Sequence, residues 1–213
     1  MCLLFPAIRI SFSYLKAPKA KLIAGKNPDK IESSNQQKRS MTMAALIAYY
    51  SRAGENYFGG AHRRISVGNT EKAAEMLAAL TGGALYKIEQ AQPYSEDYNA
   101  CIAEAKADLQ KNARPEVLHL PDSLEGYDEL YLGYPNYWGT MPMAVYTFLE
   151  HYDLTGKTIH PFCTHEGSGL PHTVQDIQKA APGAVVASGL AIRGSSVGHA
   201  NAALAQWVKE GAQ

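Results

Sequence analysis

A chain of 213 residues with 46% apolar side chains is long enough to close one full hydrophobic core, with or without an appendage. Its formal charge is zero but unevenly spread: residues 1–41 hold eight Lys or Arg against Asp29 and Glu32, and residues 42–213 hold twelve against eighteen acids. That acidic body excludes the basic face nucleic acid needs, no run reaches the roughly 18 apolar residues of a membrane span, and Cys2, Cys101 and Cys163 form neither a metal spacing nor a disulfide framework, pointing to a reducing, cytoplasmic setting.

Residues 1–41 read as a disordered leader or an upstream extension. The apolar Met1–Ile8 stretch is interrupted by Arg9, and its positive charge follows the apolar segment, whereas a secretory signal carries it in front. An acid-free stretch over residues 1–28 leaves an organelle transit peptide as the other reading. Met41 or Met43 directly precedes the first apolar run and is a plausible natural start, so residues 42–213 are expected to form the folded domain.

From there, short apolar runs alternate with longer amphipathic ones. Ala44–Tyr49 is a predicted strand, followed by a long polar loop that starts at Ser51-Arg52-Ala53-Gly54 and ends at Gly68-Asn69-Thr70. A helix is predicted over 69–80, a strand over 84–89, and a helix over 94–112 from Tyr98, Ile102, Ala105 and Leu109 at three- and four-residue spacings. Strand 129–133 follows, with 117–120 as a short edge piece before it, then helix 142–151, strand 157–163, helix 172–180, strand 184–190 and a closing helix 197–209. Five strands separated by helices predict an α/β, doubly wound, mostly parallel sheet with helices on both faces. Right-handed crossovers gather the loops after the first, third and fourth strands at one carboxyl edge.

Those three loops are chemically unusual. The first ends at a helix start, where amides without intrahelical acceptors attract a phosphate; it is neither a Walker A loop nor a Gly-x-Gly-x-x-Gly turn. The second, Gly133-Tyr134-Pro135-Asn136-Tyr137-Trp138-Gly139-Thr140-Met141-Pro142, sets adjacent aromatics on a loop, as a flat ligand would require. The third, Thr164-His165-Glu166-Gly167-Ser168-Gly169, is small and flexible enough to bring backbone donors against a ring. The seven histidines form no convincing metal set, and no nucleophile or general base stands out, so no catalytic residue is assigned.

The Tyr-Tyr-Ser-Arg start, the Tyr-Pro-x-x-Trp-Gly-Thr-Met-Pro segment and the Thr-His-x-Gly-Ser-Gly loop make the chain resemble the flavodoxins from about Ala45 to Val208. The resemblance implies a flavodoxin-like three-layer sandwich, with a five-stranded parallel sheet in order 2-1-3-4-5, and flavin mononucleotide (FMN) as cofactor. It assigns the flavin phosphate to Ser51, Arg52, Gly54, Asn69 and Thr70. It places Pro135, Asn136, Tyr137, Trp138, Gly139 and Thr140 along the isoalloxazine and ribityl chain, with Trp138 stacked on the ring. Thr164, His165, Glu166, Gly167, Ser168 and Gly169 match its second flavin loop, and Arg193-Gly194-Ser195-Ser196 reads as a helix cap. The family's compact phosphate motif is interrupted between Gly54 and Asn69, and Ala53 lacks its middle hydroxyl, so backbone donors, Arg52 or an inserted residue must supply what is missing. The implied function is an electron carrier served by redox partner proteins, an NAD(P)H-dependent reductase and an electron acceptor. Two alternatives stand beside it, an FMN-dependent NAD(P)H:quinone or related oxidoreductase and a flavin-free binding module.

Overall fold

The structure is a computed structural model that describes residues 45–170 and 172–211; the expected leader over 1–41 lies outside the described residues. A parallel sheet forms the centre. Its strands are β1 (Ala45–Tyr49), β4 (Ala84–Lys87), β5 (Glu129–Pro135), β6 (Thr158–His165) and the short β7 (Val185–Val186), hydrogen-bonded in the order β4-β1-β5-β6-β7. This is the expected 2-1-3-4-5 order with one difference. The predicted single strand over 184–190 is two pieces, β7 and β8 (Leu190–Arg193), and both pair with β6.

Alternation along the buried strands sorts side chains into two cores. Leu46, Ala48, Leu130 and Leu132 pack with Cys101 and Ala105 of α2 (Tyr98–Gln110), Phe148 and Leu149 of α3 (Met143–His151) and Ile177 of α4 (Thr173–Ala180). Ile47, Tyr49, Tyr131 and Phe162 face the other way, onto Ala73, Ala74 and Leu77 of α1 (Asn69–Thr81) and Leu204 and Trp207 of α5 (Asn201–Gly211). The result is the predicted helix–sheet–helix sandwich. Gly133 in β5 is fixed by this packing, because a Cβ there would lie 2.2 Å from Phe162 Cζ.

The largest departure from the sequence reading lies after β1. Much of the polar loop is an antiparallel hairpin, β2 (Gly54–Phe58) and β3 (Ala61–Ile65), turning at Gly59-Gly60 with φ of 61° and 97°. Positive φ at both central residues is the geometry two-residue hairpin turns demand. Both faces of this ribbon carry polar or charged residues, so the apolar alternation that marks a strand is missing. Elsewhere the shifts are smaller. α2 begins at Tyr98 rather than 94, because the Asp97 side chain accepts the Ala100 amide at 2.8 Å and caps it. The predicted edge piece at 117–120 is a single bridge, Gln90 to Val117. A 3₁₀ turn, Gly194–His199, precedes α5, replacing the first turns of the predicted closing helix. Among the described residues no helix is long and apolar enough to cross a membrane.

Candidate functional site

The carboxyl ends of β1, β5 and β6 open on one cleft of about 500 Å³. Its polar end is built on the junction of β1 and α1. Gly68 precedes the helix at extended angles, and a Cβ there would sit 2.1 Å from Ser51 Oγ and 2.7 Å from the Arg52 carbonyl, so only glycine lets the two ends of the loop touch. Ser51 Oγ accepts the Glu71 amide at 3.1 Å and thereby caps α1 in place of Gly68, which has no side chain. The Asn69 and Thr70 amides, in the first turn, have no intrahelical acceptor. Thr70 and Thr164 hydroxyls share a buried 2.7 Å hydrogen bond joining α1 to β6; one hydroxyl donates, and the other's proton is left for a third acceptor.

Arg52 is anchored by its outer nitrogens, which donate to the carbonyls of Ser95 (2.7 Å) and Glu55. Its Nε is buried with no hydrogen-bond partner among the described residues, and Asn69 Oδ1 is in the same condition. A donor and an acceptor are thus left over on two residues that line the cleft.

The other end is aromatic. Tyr137, Trp138 and Gly139 come from the loop after β5, Tyr98, Ile102 and Ala105 from one face of α2, and Tyr57 from the hairpin. Trp138 adopts φ 56°, a left-handed conformation uncommon outside glycine, and its indole Nε1 donates to the Ile102 carbonyl at 2.8 Å. Lys106 Nζ lies 4.8 Å from the centre of the Trp138 rings. Tyr137 OH meets Cys101 Sγ at 3.7 Å, and burial pushes both the phenol and the thiol above their ordinary pKa values. Cys163, buried in β6, is raised to about 12 for the same reason, so burial keeps both described thiols in the protonated form.

The loop after β6 closes the cleft. Gly167 N–H donates to His165 Nδ1 at 2.9 Å, which fixes a neutral imidazole with its proton on Nε2. Burial, helped by the Arg193 guanidinium, lowers the His165 pKa, with the Glu166 carboxylate opposing the shift. Glu166 lines the cleft, yet its carboxylate ties neighbours together. It accepts the Ser195 amide at 2.5 Å, the Ser195 hydroxyl at 3.0 Å and the Gly59 amide at 3.2 Å, with Arg193 Nε 3.6 Å away. Ser195 therefore serves Glu166 and not a helix end, which corrects the expected cap.

Fourteen of the assigned residues line this cleft: Ser51, Arg52, Asn69, Thr70, Pro135, Asn136, Tyr137, Trp138, Gly139, Thr164, His165, Glu166, Gly167 and Ser168. Three do not. Gly54 starts the hairpin at φ 84°, against the Glu96 backbone. Thr140 turns its hydroxyl to Asp176 and Tyr146, both at 2.7 Å, and so braces α3 against α4. Gly169 acts through its carbonyl, which accepts Asn136 Nδ2 at 3.1 Å while Asn136 Oδ1 accepts the Gly139 amide at 3.0 Å, stitching two loops together. Asn56, Tyr57, Tyr98, Ile102, Ala105 and Gly194 line the cleft without having been assigned to it. The helical spacing of Tyr98, Ile102 and Ala105 was visible in the sequence, but spacing alone does not say which neighbour the stripe meets. Among the described residues no group of three or more His, Cys, Asp and Glu could hold a metal ion.

Compared with known families, residues 61–211 match the profile of the flavodoxins. The chain is a member of that family. Its solved neighbours include a protein from Bacteroides uniformis, described provisionally as a flavoprotein, with TM-score 0.62 and 26% identity over 78% of this chain and 97% of that one. A Bacteroides eggerthii protein described in the same way gives TM-score 0.58 and 28% identity over 76% and 98%. A Lactobacillus acidophilus flavoprotein crystallised with FMN gives 0.54 and 21% over 74% and 97%, a likeness of fold. No curated protein sequence matches this flavodoxin.

The cleft fits the cofactor the family implies. The buried Arg52 Nε suits a phosphate oxygen, Asn69 Oδ1 suits a ribityl hydroxyl, and the free first-turn amides of α1 suit the anion. The aromatic end suits a planar ring.

Proposed function

We propose that this protein binds FMN in the cleft and works as an electron-transfer protein of flavodoxin type. The observation that carries the reading is the pairing, in one cleft, of a helix N-terminus beside the unpartnered Arg52 Nε with a wall of aromatic side chains. FMN, when bound, supplies the one- or two-electron chemistry. Arg52 and the α1 amides hold the phosphate and offset its charge. The Thr70–Thr164 pair and Asn69 hold the ribityl hydroxyls, and Tyr137 and Trp138 border the ring. His165 lines the same cleft and carries its proton on Nε2. The partners on this reading are an NAD(P)H-dependent reductase and an electron acceptor.

A second reading, a flavin-dependent NAD(P)H:quinone or related reductase, is favoured by one feature: Tyr57 and Tyr98 give the cleft an aromatic flank outside the three flavin loops. Absorption spectra after FMN addition and gel filtration, followed by NADH and NADPH separately, test both. Retained flavin bands that neither nucleotide bleaches support the carrier, and rapid bleaching supports the reductase. Failure to retain flavin overturns both.

A further inference from the structure

The ribbon of β2 and β3 is set apart from the rest of the fold. Among the described residues it forms a sheet of its own, hydrogen-bonded to no strand of the parallel sheet, and every residue of β3 but the last is exposed. A lone two-stranded hairpin has little stability unless other parts of the chain hold it. What holds this one lies on two different walls of the cleft. At its base, on the α2 side, Glu55 N donates to the Glu96 carbonyl at 2.9 Å, the Glu55 carboxylate accepts the Tyr98 amide at 3.0 Å, and Arg64 pairs with Glu96. At its tip the Gly59 amide donates to Glu166, on the loop after β6, at 3.2 Å.

Between the two anchors lies the cleft. Asn56 and Tyr57, which line it, fall between Glu55 and Gly59 along β2, so the ribbon bridges the cleft from the α2 wall to the β6 wall. Its ends run into the polar end of the site. Arg52 precedes it and donates to the Glu55 carbonyl, Gly54 turns into it at φ 84°, and Gly68 follows it at the start of α1. The tip is the lightly held end. Among the described residues the Gly59 amide makes the one hydrogen bond from the ribbon to the far wall, and it shares its acceptor with the Ser195 amide and hydroxyl. Gly59 and Ser195 are close there, since a Cβ on Gly59 would stand 3.6 Å from Ser195 Cβ.

We propose that the hairpin is a strap that closes over the flavin and gates its exchange, with the hydrogen bond from Gly59 to Glu166 as its latch. Opening breaks one hydrogen bond at the tip and leaves the base anchored on the α2 side, which makes the ribbon a local unit able to open while the core stays folded. Arg52 links the strap to the phosphate site, because one outer nitrogen holds the ribbon through Glu55 while Nε is left for the phosphate. The proposal rests on the flavin reading for the identity of the ligand, and the contacts of the strap do not depend on it.

The test locks the strap shut. Cβ atoms 3.6 Å apart lie within the roughly 3.5–4.5 Å that a disulfide spans, so Gly59→Cys with Ser195→Cys should join the tip to the far wall without changing a residue that lines the cleft. The full-length double variant is compared in its disulfide and free-thiol forms, so the strain of a side chain at the left-handed Gly59 is common to both. FMN uptake and release, followed by flavin fluorescence, are expected to slow roughly tenfold or more in the disulfide form. Equal rates in the two forms overturn the strap, as does a folded double variant in which peptide mass shows no disulfide after oxidation. A second variant, Glu166→Ala, removes the latch and is expected to speed both uptake and release about threefold or more. Faster release alone marks a lost flavin contact and overturns the latch. Wild type that binds no FMN overturns the flavin reading instead, and the strap is then decided on flavin-free protein by water exchange at the Asn69 and Thr70 amides within the cleft. Slower exchange in the disulfide form supports the strap, and equal exchange overturns it.

Discussion

The two ends of the cleft are secured by different means. At the polar end the functional groups sit on elements buried in the core: Thr70 and Thr164 are hydrogen-bonded to each other inside the sandwich, and Gly68 is pressed onto Ser51 and Arg52. At the hairpin end the side chains are exposed, and a handful of hydrogen bonds to Glu55, Glu96 and Glu166 hold the ribbon in place. The contrast teaches where rigidity comes from. A phosphate needs donors fixed to a few tenths of an ångström, which the core provides, while the exposed ribbon is held only by the contacts that tie it to Glu55, Glu96 and Glu166.

The strongest way to break the polar end is Gly68→Ala. Its methyl would collide with Ser51 Oγ and the Arg52 carbonyl, both fixed, so about 1–3 kcal/mol of stability and at least tenfold in FMN affinity should be lost, read by thermal melts and flavin fluorescence quenching. Arg52→Gln tests the phosphate contact itself. A charge-assisted hydrogen bond of about 1.5–3 kcal/mol predicts a roughly ten- to hundredfold weaker FMN complex, with riboflavin, which lacks the phosphate, much less affected.

Glu166→Gln sharpens the comparison from the other side. An amide oxygen is a weaker acceptor than the carboxylate for the Ser195 and Gly59 donors, so amide exchange at Gly59 and Ser195 should rise about tenfold, while β1 and β5 stay protected. Unchanged exchange at Gly59 would mean that Glu166 does not hold the hairpin. The smallest effect expected is with pH. His165 is lowered from its ordinary 6.5, so the unfolded chain takes the proton more readily than the folded one. Its contribution to stability is present above about pH 6.5 and is lost as pH falls toward the lowered value. Protonation also turns Nδ1 from acceptor to donor, so the Gly167 amide resonance should titrate together with the His165 ring.

Much of the fold was legible because core strands and helices announce themselves by period. Apolar runs such as Leu46–Tyr49 and stripes such as Ala73, Ala74 and Leu77 have one stable solution, a buried sheet covered by helices. The hairpin was not legible, since its residues are polar on both faces and its signal was the pair Gly59-Gly60 alone. Within the site, the three loops were found because unusual residues gather in them. Side chains inside those loops divide by direction, though, and direction belongs to the packed backbone. Thr140 faces Asp176 and Tyr146, Gly169 offers its carbonyl to Asn136, and Glu166 is spent on Ser195. Trp138 borders the cleft as expected, 48% exposed, but one face already carries Lys106 and its N–H already has a partner.

By itself, then, the sequence determined the alternating α/β order, the carboxyl edge where the loops converge and the types of group available there, because local propensity and hydrophobic period act over a few residues. Tertiary structure alone decided which face of α2 joins the cleft, that the inserted loop folds back as a ribbon, and which carboxylates and hydroxyls remain free for a ligand. Those outcomes depend on contacts between residues tens of positions apart, such as Glu166 with Gly59 and Thr70 with Thr164, and no local pattern encodes them.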